Sequence, residues 1–239
     1  MTEFDFSPIE PICRSFGVEL TRETKTRLSI YGDLLIEYNK SVNLTAIVEP
    51  SEIVIKHFLD CILFFKNICP EEKSSIIDIG TGAGFPGMVL LIIRPDLKLT
   101  LMDALEKRLN FLRVVLKKTG LSATLVHSRA EDGAKDPLYR EQFDYATARA
   151  VAALPVLCEL SIPYIKVGGY FVAMKGDAVD SEVAKAQGAF KILGADNPSV
   201  YYETLTGNEK RAFVVSKKIS QTSPKYPRSF AKIKKNALK

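Results

Sequence analysis

From Ser75 onward the chain alternates short apolar runs with helix-patterned stretches, and that alternation limits the fold more than any other feature. Ser75–Ile79, Leu99–Met102, Ala123–His127, Phe143–Ala148 and Tyr170–Met174 have the composition of buried strands. Between them lie a stretch ending near Arg94-Pro95, an amphipathic Glu106–Thr119 stopped by Gly120, and expected helices over Ala152–Ile162 and Ser181–Leu193. Strands joined through helices form a parallel sheet covered on both faces. Val200–Leu205 and Arg211–Ser216 flank the turn Thr206-Gly207-Asn208-Glu209-Lys210, which predicts a closing hairpin and an antiparallel edge.

The residues before Ser75 differ in texture. Leu28, Tyr31, Leu34, Leu35 and Tyr38 fall on one helix face, Val42–Thr45 interrupts the pattern, and Pro50-Ser51 opens a second helix with Ser51 as expected N-cap. The expected organisation is a helical cap over 1–70, an α/β core over 71–219 and a basic tail over 220–239, forming one structural unit. A chain of 239 residues supports one generous core. No apolar run is long enough to cross a membrane, and the start, MTEFDFSPIEPIC, lacks a signal-peptide pattern, so a cytoplasmic location is expected. Cys13, Cys61, Cys69 and Cys158 have no C-x-x-C spacing and read as free thiols; with His57 and His127 they make no zinc set, so no metal is expected.

Charge is unevenly spread. The chain carries +5 overall, yet Lys217–Lys239 holds eight basic residues and no acid, leaving −3 on the other 216 residues. A basic tail on a weakly acidic body points to a polyanionic partner, against the plainer reading of a solubilising end. Lys225, Arg228 and Lys232 are the candidate contacts, with Tyr226 and Phe230 placed to stack on a base.

The first strand runs into Gly80, Gly82, Gly84 and Gly87, where two ligand patterns overlap. Gly82-Ala-Gly84-Phe-Pro-Gly87 fits the dinucleotide fingerprint, which sets a pyrophosphate on a helix N-terminus. Asp78-x-Gly80-x-Gly82-x-Gly84 fits the acid-then-glycines pattern of S-adenosylmethionine sites. Asp78 would repel a pyrophosphate and suit a sulfonium cation, which favours the second ligand. Asp103, at the tip of the next strand, is placed to accept from ribose hydroxyls; Asp103-Ala-Leu-Glu106 also has the form of a capping box. Beyond the fourth strand, Thr147-Ala148-Arg149-Ala150 replaces the amine-methylating Pro-Pro-Tyr motif, and Ser161-Ile162-Pro163-Tyr164 is a decoy. Cys158 lies in an apolar stretch and reads as core rather than nucleophile. A site without amine motif, base or nucleophile is compatible with guanine N7, which carries no proton.

Six ordered motifs carry a family resemblance: Tyr38-Asn39-x-x-x-Asn43-Leu44-Thr45, Lys56-His57-Phe58-Leu59-Asp60, the glycine loop through Phe85-Pro86-Gly87, Thr147–Ala152, Phe171–Gly176 and Tyr226-Pro227-Arg228. Together they resemble the GidB (RsmG) family, bacterial enzymes that methylate guanine N7 in 16S ribosomal RNA. The resemblance implies an α/β fold: a Rossmann-like S-adenosylmethionine-dependent methyltransferase sheet with an antiparallel terminal hairpin and an N-terminal helical cap. It implies cofactor contacts at Gly80, Phe85, Ala130, Glu131 and Arg149, to which the loop reading adds Gly82, Gly84 and Asp103. Arg149 has two readings, cofactor carboxylate or RNA; Lys175 is placed to steady guanine O6 or a phosphate. His57 and Asp60 read as a structural pair, and no catalytic base is expected. The expected partner is 16S RNA or the small ribosomal subunit, taken up by a monomer. Two rivals stand beside this: an RNA-binding assembly factor that keeps a cofactor pocket, and an NAD-dependent oxidoreductase. The family pattern is departed from at Cys61, where serine is usual, and after Arg228, where glycine and prolines are missing.

Overall fold

The computed structural model describes residues 2–207 and 209–238; Asn208 of the expected turn lies outside them. Short α1 (Glu10–Ser15) precedes the long α2 (Arg22–Val42), capped by the Thr21 hydroxyl, which accepts from the Thr24 amide at 3.2 Å. α2 buries Leu28, Tyr31 and Leu35 along the face that its spacing predicts and stops at Asn43, whose φ of 52° is left-handed.

The second expected helix forms as one helical run that widens in its middle: α3 (Pro50–Glu52), a π-helical stretch Ile53–Leu59, α4 (Asp60–Ile62) and α5 (Phe64–Asn67) follow one another with right-handed helical backbone at each junction. Glu49, not Ser51, holds the cap position, with no side-chain cap. Pro50 takes the first helical position, where its fixed φ suits the entry and its missing N–H would have no intrahelical partner in any case. The wide stretch buries His57, and Asp60 is buried just after it.

The remainder is β1 (Ser75–Ile79), α6 (Gly87–Ile93), β2 (Lys98–Asp103), α7 (Glu106–Thr119), β3 (Thr124–His127), α8 (Ala130–Gly133), β4 (Phe143–Arg149), α9 (Leu154–Ser161), β5 (Ile165–Lys175), α10 (Val179–Ile192), β6 (Ser199–Thr204), β7 (Lys210–Lys217) and α11 (Phe230–Lys235). The sheet order is β3-β2-β1-β4-β5-β7-β6. β1 to β5 run parallel, β7 is antiparallel to β5, and β6 returns along β7. The order reverses between β1 and β4, and in such sheets the crevice beyond the strand ends at that reversal receives the ligand.

Alternation along β1 explains the two cores. Ile76 joins a cluster with α2, α6 and α7 on one face, whereas Ile77 and Ile79 join α9 and α10 on the other. The N-terminal helices share the first cluster with the sheet, through Phe4, Tyr31, Phe58 and Phe64.

The basic tail is docked. Arg228 makes a bidentate pair with Glu159, at 2.9 and 2.6 Å, and Ile233 is fully buried. Arg140 donates to the carbonyls of Thr222 and Tyr226 at 2.8 and 2.9 Å. The buried Lys218 pairs with Glu141 and donates to the Thr222 hydroxyl at 2.6 Å. Among the described residues no helix is long and apolar enough to cross a membrane.

Candidate functional site

The glycine loop closes on its own acid. Asp78 shares the face of Ile76 and points away from the crevice, so its carboxylate lies under the start of α6. Its Oδ2 accepts from the Thr81 hydroxyl at 2.6 Å and the Gly87 amide at 3.0 Å, and its Oδ1 is buried without a partner. Burial raises its pKa to about 6, against the lowering effect of those donors. The expectation that Asp78 faces a sulfonium cation is therefore replaced: it fastens the loop. The same contact occupies the helix N-terminus a pyrophosphate would need, and Pro86 adds no donor there.

The glycines do different things. Gly80 has φ +65°, and a Cβ on it would meet Val151 Cγ2 at 2.9 Å. Gly84 has φ +104° and is packed beneath Tyr31, Leu112 and Met88, away from any cavity. The Gly82 amide donates to Asp103 Oδ2 at 2.9 Å.

Beyond the ends of β1 and β2 opens a cavity of about 280 Å³, lined by Gly80, Asp103, Ala130, Glu131, Val151 and Leu160 among others. It brings together four of the sequence-predicted cofactor residues, from three loops. Asp103 lies on the cavity wall with partners of its own: Oδ1 accepts from the Leu105 amide at 2.9 Å at the entry to α7, and Oδ2 accepts from Gly82 and, at 3.3 Å, Arg108. The cap position itself belongs to Leu105, so no capping box forms. Each carboxylate oxygen has two lone pairs, which leaves Oδ1 one for a ligand. Glu131 is buried on the cavity wall, and among the described residues no donor reaches its carboxylate.

A second cavity of about 380 Å³ lies next to the first, sharing Ala150, and is lined by Lys56, His57, Asp60, Arg149, Lys175 and Arg211 among others. Arg149 faces this cavity and not the first. Its guanidinium donates to Asp60 Oδ2 at 2.8 Å, to the Lys56 carbonyl at 3.2 Å and to His57 Nδ1 at 3.1 Å, and lies 4.6 Å over the Phe85 ring. Phe85 stacks on His57 with centroids 4.4 Å apart. Both residues thus join the cap to the loop. Burial and then the Arg149 charge push the His57 pKa down to about 3. The ring is neutral, accepts from Arg149 through Nδ1, and meets the Thr45 hydroxyl through Nε2 at 2.9 Å. Burial raises the Asp60 pKa while Arg149 and Arg211 oppose it; Arg211 Nε lies 3.2 Å from Oδ1. The Lys175 ammonium is held by Glu182 at 2.8 Å and the Ala152 carbonyl at 2.7 Å.

The tail residues separate. Arg228 is spent on Glu159, whereas Lys225 and Lys232 are exposed. Sequence reasoning missed Arg108, Leu160 and Arg211 as wall residues, and Val151 entered it only as part of the Thr147–Ala152 motif. Arg108 and Leu160 sit on helices α7 and α9, and Arg211 showed only as a charge inside a strand pattern. Among the described residues no group of His, Cys, Asp and Glu is arranged for a metal.

Comparison with known proteins identifies the family and the fold. The GidB family model, described as rRNA small subunit methyltransferase G, matches residues 24–212. Proteins named ribosomal RNA small subunit methyltransferase G are similar over nearly the whole length. The one from Clostridium beijerinckii is 48% identical across 93% of this chain and 94% of its own. That of Clostridium perfringens is 42% identical across 98% and 99%. Among solved structures, an S-adenosylmethionine-dependent methyltransferase from Aquifex aeolicus superposes with a TM-score of 0.51 at 16% identity, covering 70% of this chain and 93% of that one. An O-methyltransferase from Thermotoga maritima gives 0.50 at 17%, covering 79% and 72%. These two share the fold.

Proposed function

The chain belongs to the GidB family of small-subunit rRNA methyltransferases, and from that premise we propose that it methylates N7 of a guanine in 16S ribosomal RNA, using S-adenosylmethionine. The first cavity fits that cofactor: Asp103 keeps a free lone pair for a ribose hydroxyl, Glu131 is buried with no donor among the described residues, and Gly80 leaves room that a Cβ would fill. When bound, S-adenosylmethionine supplies a methyl group activated on a sulfonium. Gly80, Asp103, Ala130 and Glu131 would hold it, with Gly82 orienting the Asp103 carboxylate.

The second cavity is assigned to the target base. The observation that supports N7 is that, among the described residues, this cavity offers no free base. Its imidazole is neutral and engaged on both nitrogens, and the one carboxylate among the described wall residues, Asp60, lies between two arginines. The N7 lone pair needs none. With the cofactor bound, that lone pair would be the acceptor for the methyl group it supplies, and the residues around it would have only to hold the base in line. No proton moves. The chain's contribution is placement, which can remove a large part of the barrier to such a displacement. Arg149 fixes the floor of the base cavity by joining Phe85 to the cap, and Lys225, Lys232 and their neighbours offer charge to the RNA backbone.

The test is to incubate small subunits and 16S RNA from a strain lacking the gene with the protein and methyl-labelled cofactor. One labelled 7-methylguanosine is expected. Cofactor uptake and RNA binding without label would favour the assembly-factor reading.

A further inference from the structure

Phe230, the first residue of α11, lines the first cavity while remaining 38% exposed at its mouth. Among the described residues it is the one aromatic side chain on that wall, and no other ring stacks on it. The segment that carries it is fixed by the Arg228–Glu159 pair and by buried Ile233. We propose that Phe230 is a cofactor-binding residue, its ring closing the adenine end of the S-adenosylmethionine site, so that the C-terminal tail forms part of that site.

The proposal rests on the cofactor assignment above. Ala150 lines both cavities and stands where they meet, so the reacting end of the cofactor belongs beside it and Gly80. Asp103, at the tip of β2, is the ribose partner. The adenine then belongs at the opposite end, by Ser128–Glu131 and Leu160. α8, which carries Ala130 and Glu131, packs on α9, which carries Leu160, and α11 packs on α9 as well. Phe230 is therefore at the purine end. A purine has an apolar face and a π-face that an aromatic ring matches, and truncating such a ring costs about tenfold in binding. The alternative use of Phe230 is to stack on a base of the RNA.

Calorimetric titration of the full-length protein separates these. Phe230→Ala should raise Kd roughly tenfold for S-adenosylmethionine, S-adenosylhomocysteine and 5′-methylthioadenosine alike, because all three carry the adenosine. Phe230→Trp should restore Kd to within about twofold of wild type. An unchanged cofactor Kd in Phe230→Ala would overturn the proposal, and a weakened RNA Kd in the same protein would give the ring to RNA. Equal losses in the Ala and Trp proteins would overturn it too, since a displaced tail would then be the cause. Wild-type protein that takes up none of the three ligands is a different pattern; it refutes the cofactor assignment itself and the proposal with it.

Discussion

Arg149, at the end of β4, holds Asp60 of the N-terminal cap at 2.8 Å, and the cap is thereby fixed over the point where the sheet order reverses. Asp60 is 3% exposed, so its charge has little solvent to fall back on if the partner is removed. Arg149→Ala should cost roughly 3–5 kcal/mol in urea unfolding and abolish methyl transfer. Arg149→Lys should recover only part, because a single ammonium cannot reproduce a fork that serves Asp60, His57 and a carbonyl. Adding Asp60→Asn to Arg149→Ala should return part of the stability but not the activity. A double-mutant cycle with no coupling would contradict this reading.

Two buried groups act on stability with opposite sign. Asp78, raised to about 6, binds a proton more tightly folded than unfolded, so its contribution is present below its unfolded pKa and is lost as pH rises from about 4 to 6. His57, lowered to about 3, does the reverse: its contribution is present above its unfolded pKa and is lost as pH falls from about 6.5. The two slopes offset in wild type between pH 4 and about 6. Asp78→Asn should leave a melting temperature that rises with pH through that window, and His57→Asn one that falls. Parallel profiles for the two variants would refute the assignment.

The loop glycines should separate by readout. Gly84→Ala places a methyl group 2.7–2.8 Å from Leu112, Met88 and the Tyr31 hydroxyl, so it should lower stability strongly. Gly82→Ala meets nothing closer than 3.9 Å and carries chiefly the penalty of its +60° φ, about 1–2 kcal/mol. Gly80→Ala also meets Val151 on the cavity wall, so its larger effect should be on cofactor Kd. Thermal melts with and without S-adenosylmethionine measure all three.

The tail should show itself in salt. Lys232, Lys234 and Lys235 are exposed on or beside α11. Replacing all three with Ala should lower the slope of log K against log salt for single-stranded RNA by about 2, with cofactor Kd unchanged. Arg228→Ala should act differently: it leaves Glu159 buried without its partner and should lower stability first.

Much of this was legible in residue order. The strand–helix alternation, the closing hairpin and the docking face of α2 follow from local periodicity, which burial of one face enforces. Gly80, Asp103, Ala130 and Glu131 come from three separate loops yet meet in one cavity, because the parallel sheet brings its strand ends to one edge. What was not legible depends on long-range partners. Asp78 turns inward because pleating places it with Ile76, and its partners, Thr81 and Gly87, are claimed only once the loop has closed. Arg228 has the appearance of an RNA contact until Glu159, 69 residues away, is found beneath it. The wide turn over Ile53–Leu59 has no evident local signal, and no physical account of it follows from the residues alone.

The most direct test of methylation at N7 removes that atom. A 16S RNA carrying 7-deazaguanosine at the methylated position, presented with labelled cofactor, should bind the protein as well as the natural RNA and take up no label. Continued labelling of the substituted RNA would move the reaction to another atom and contradict the account.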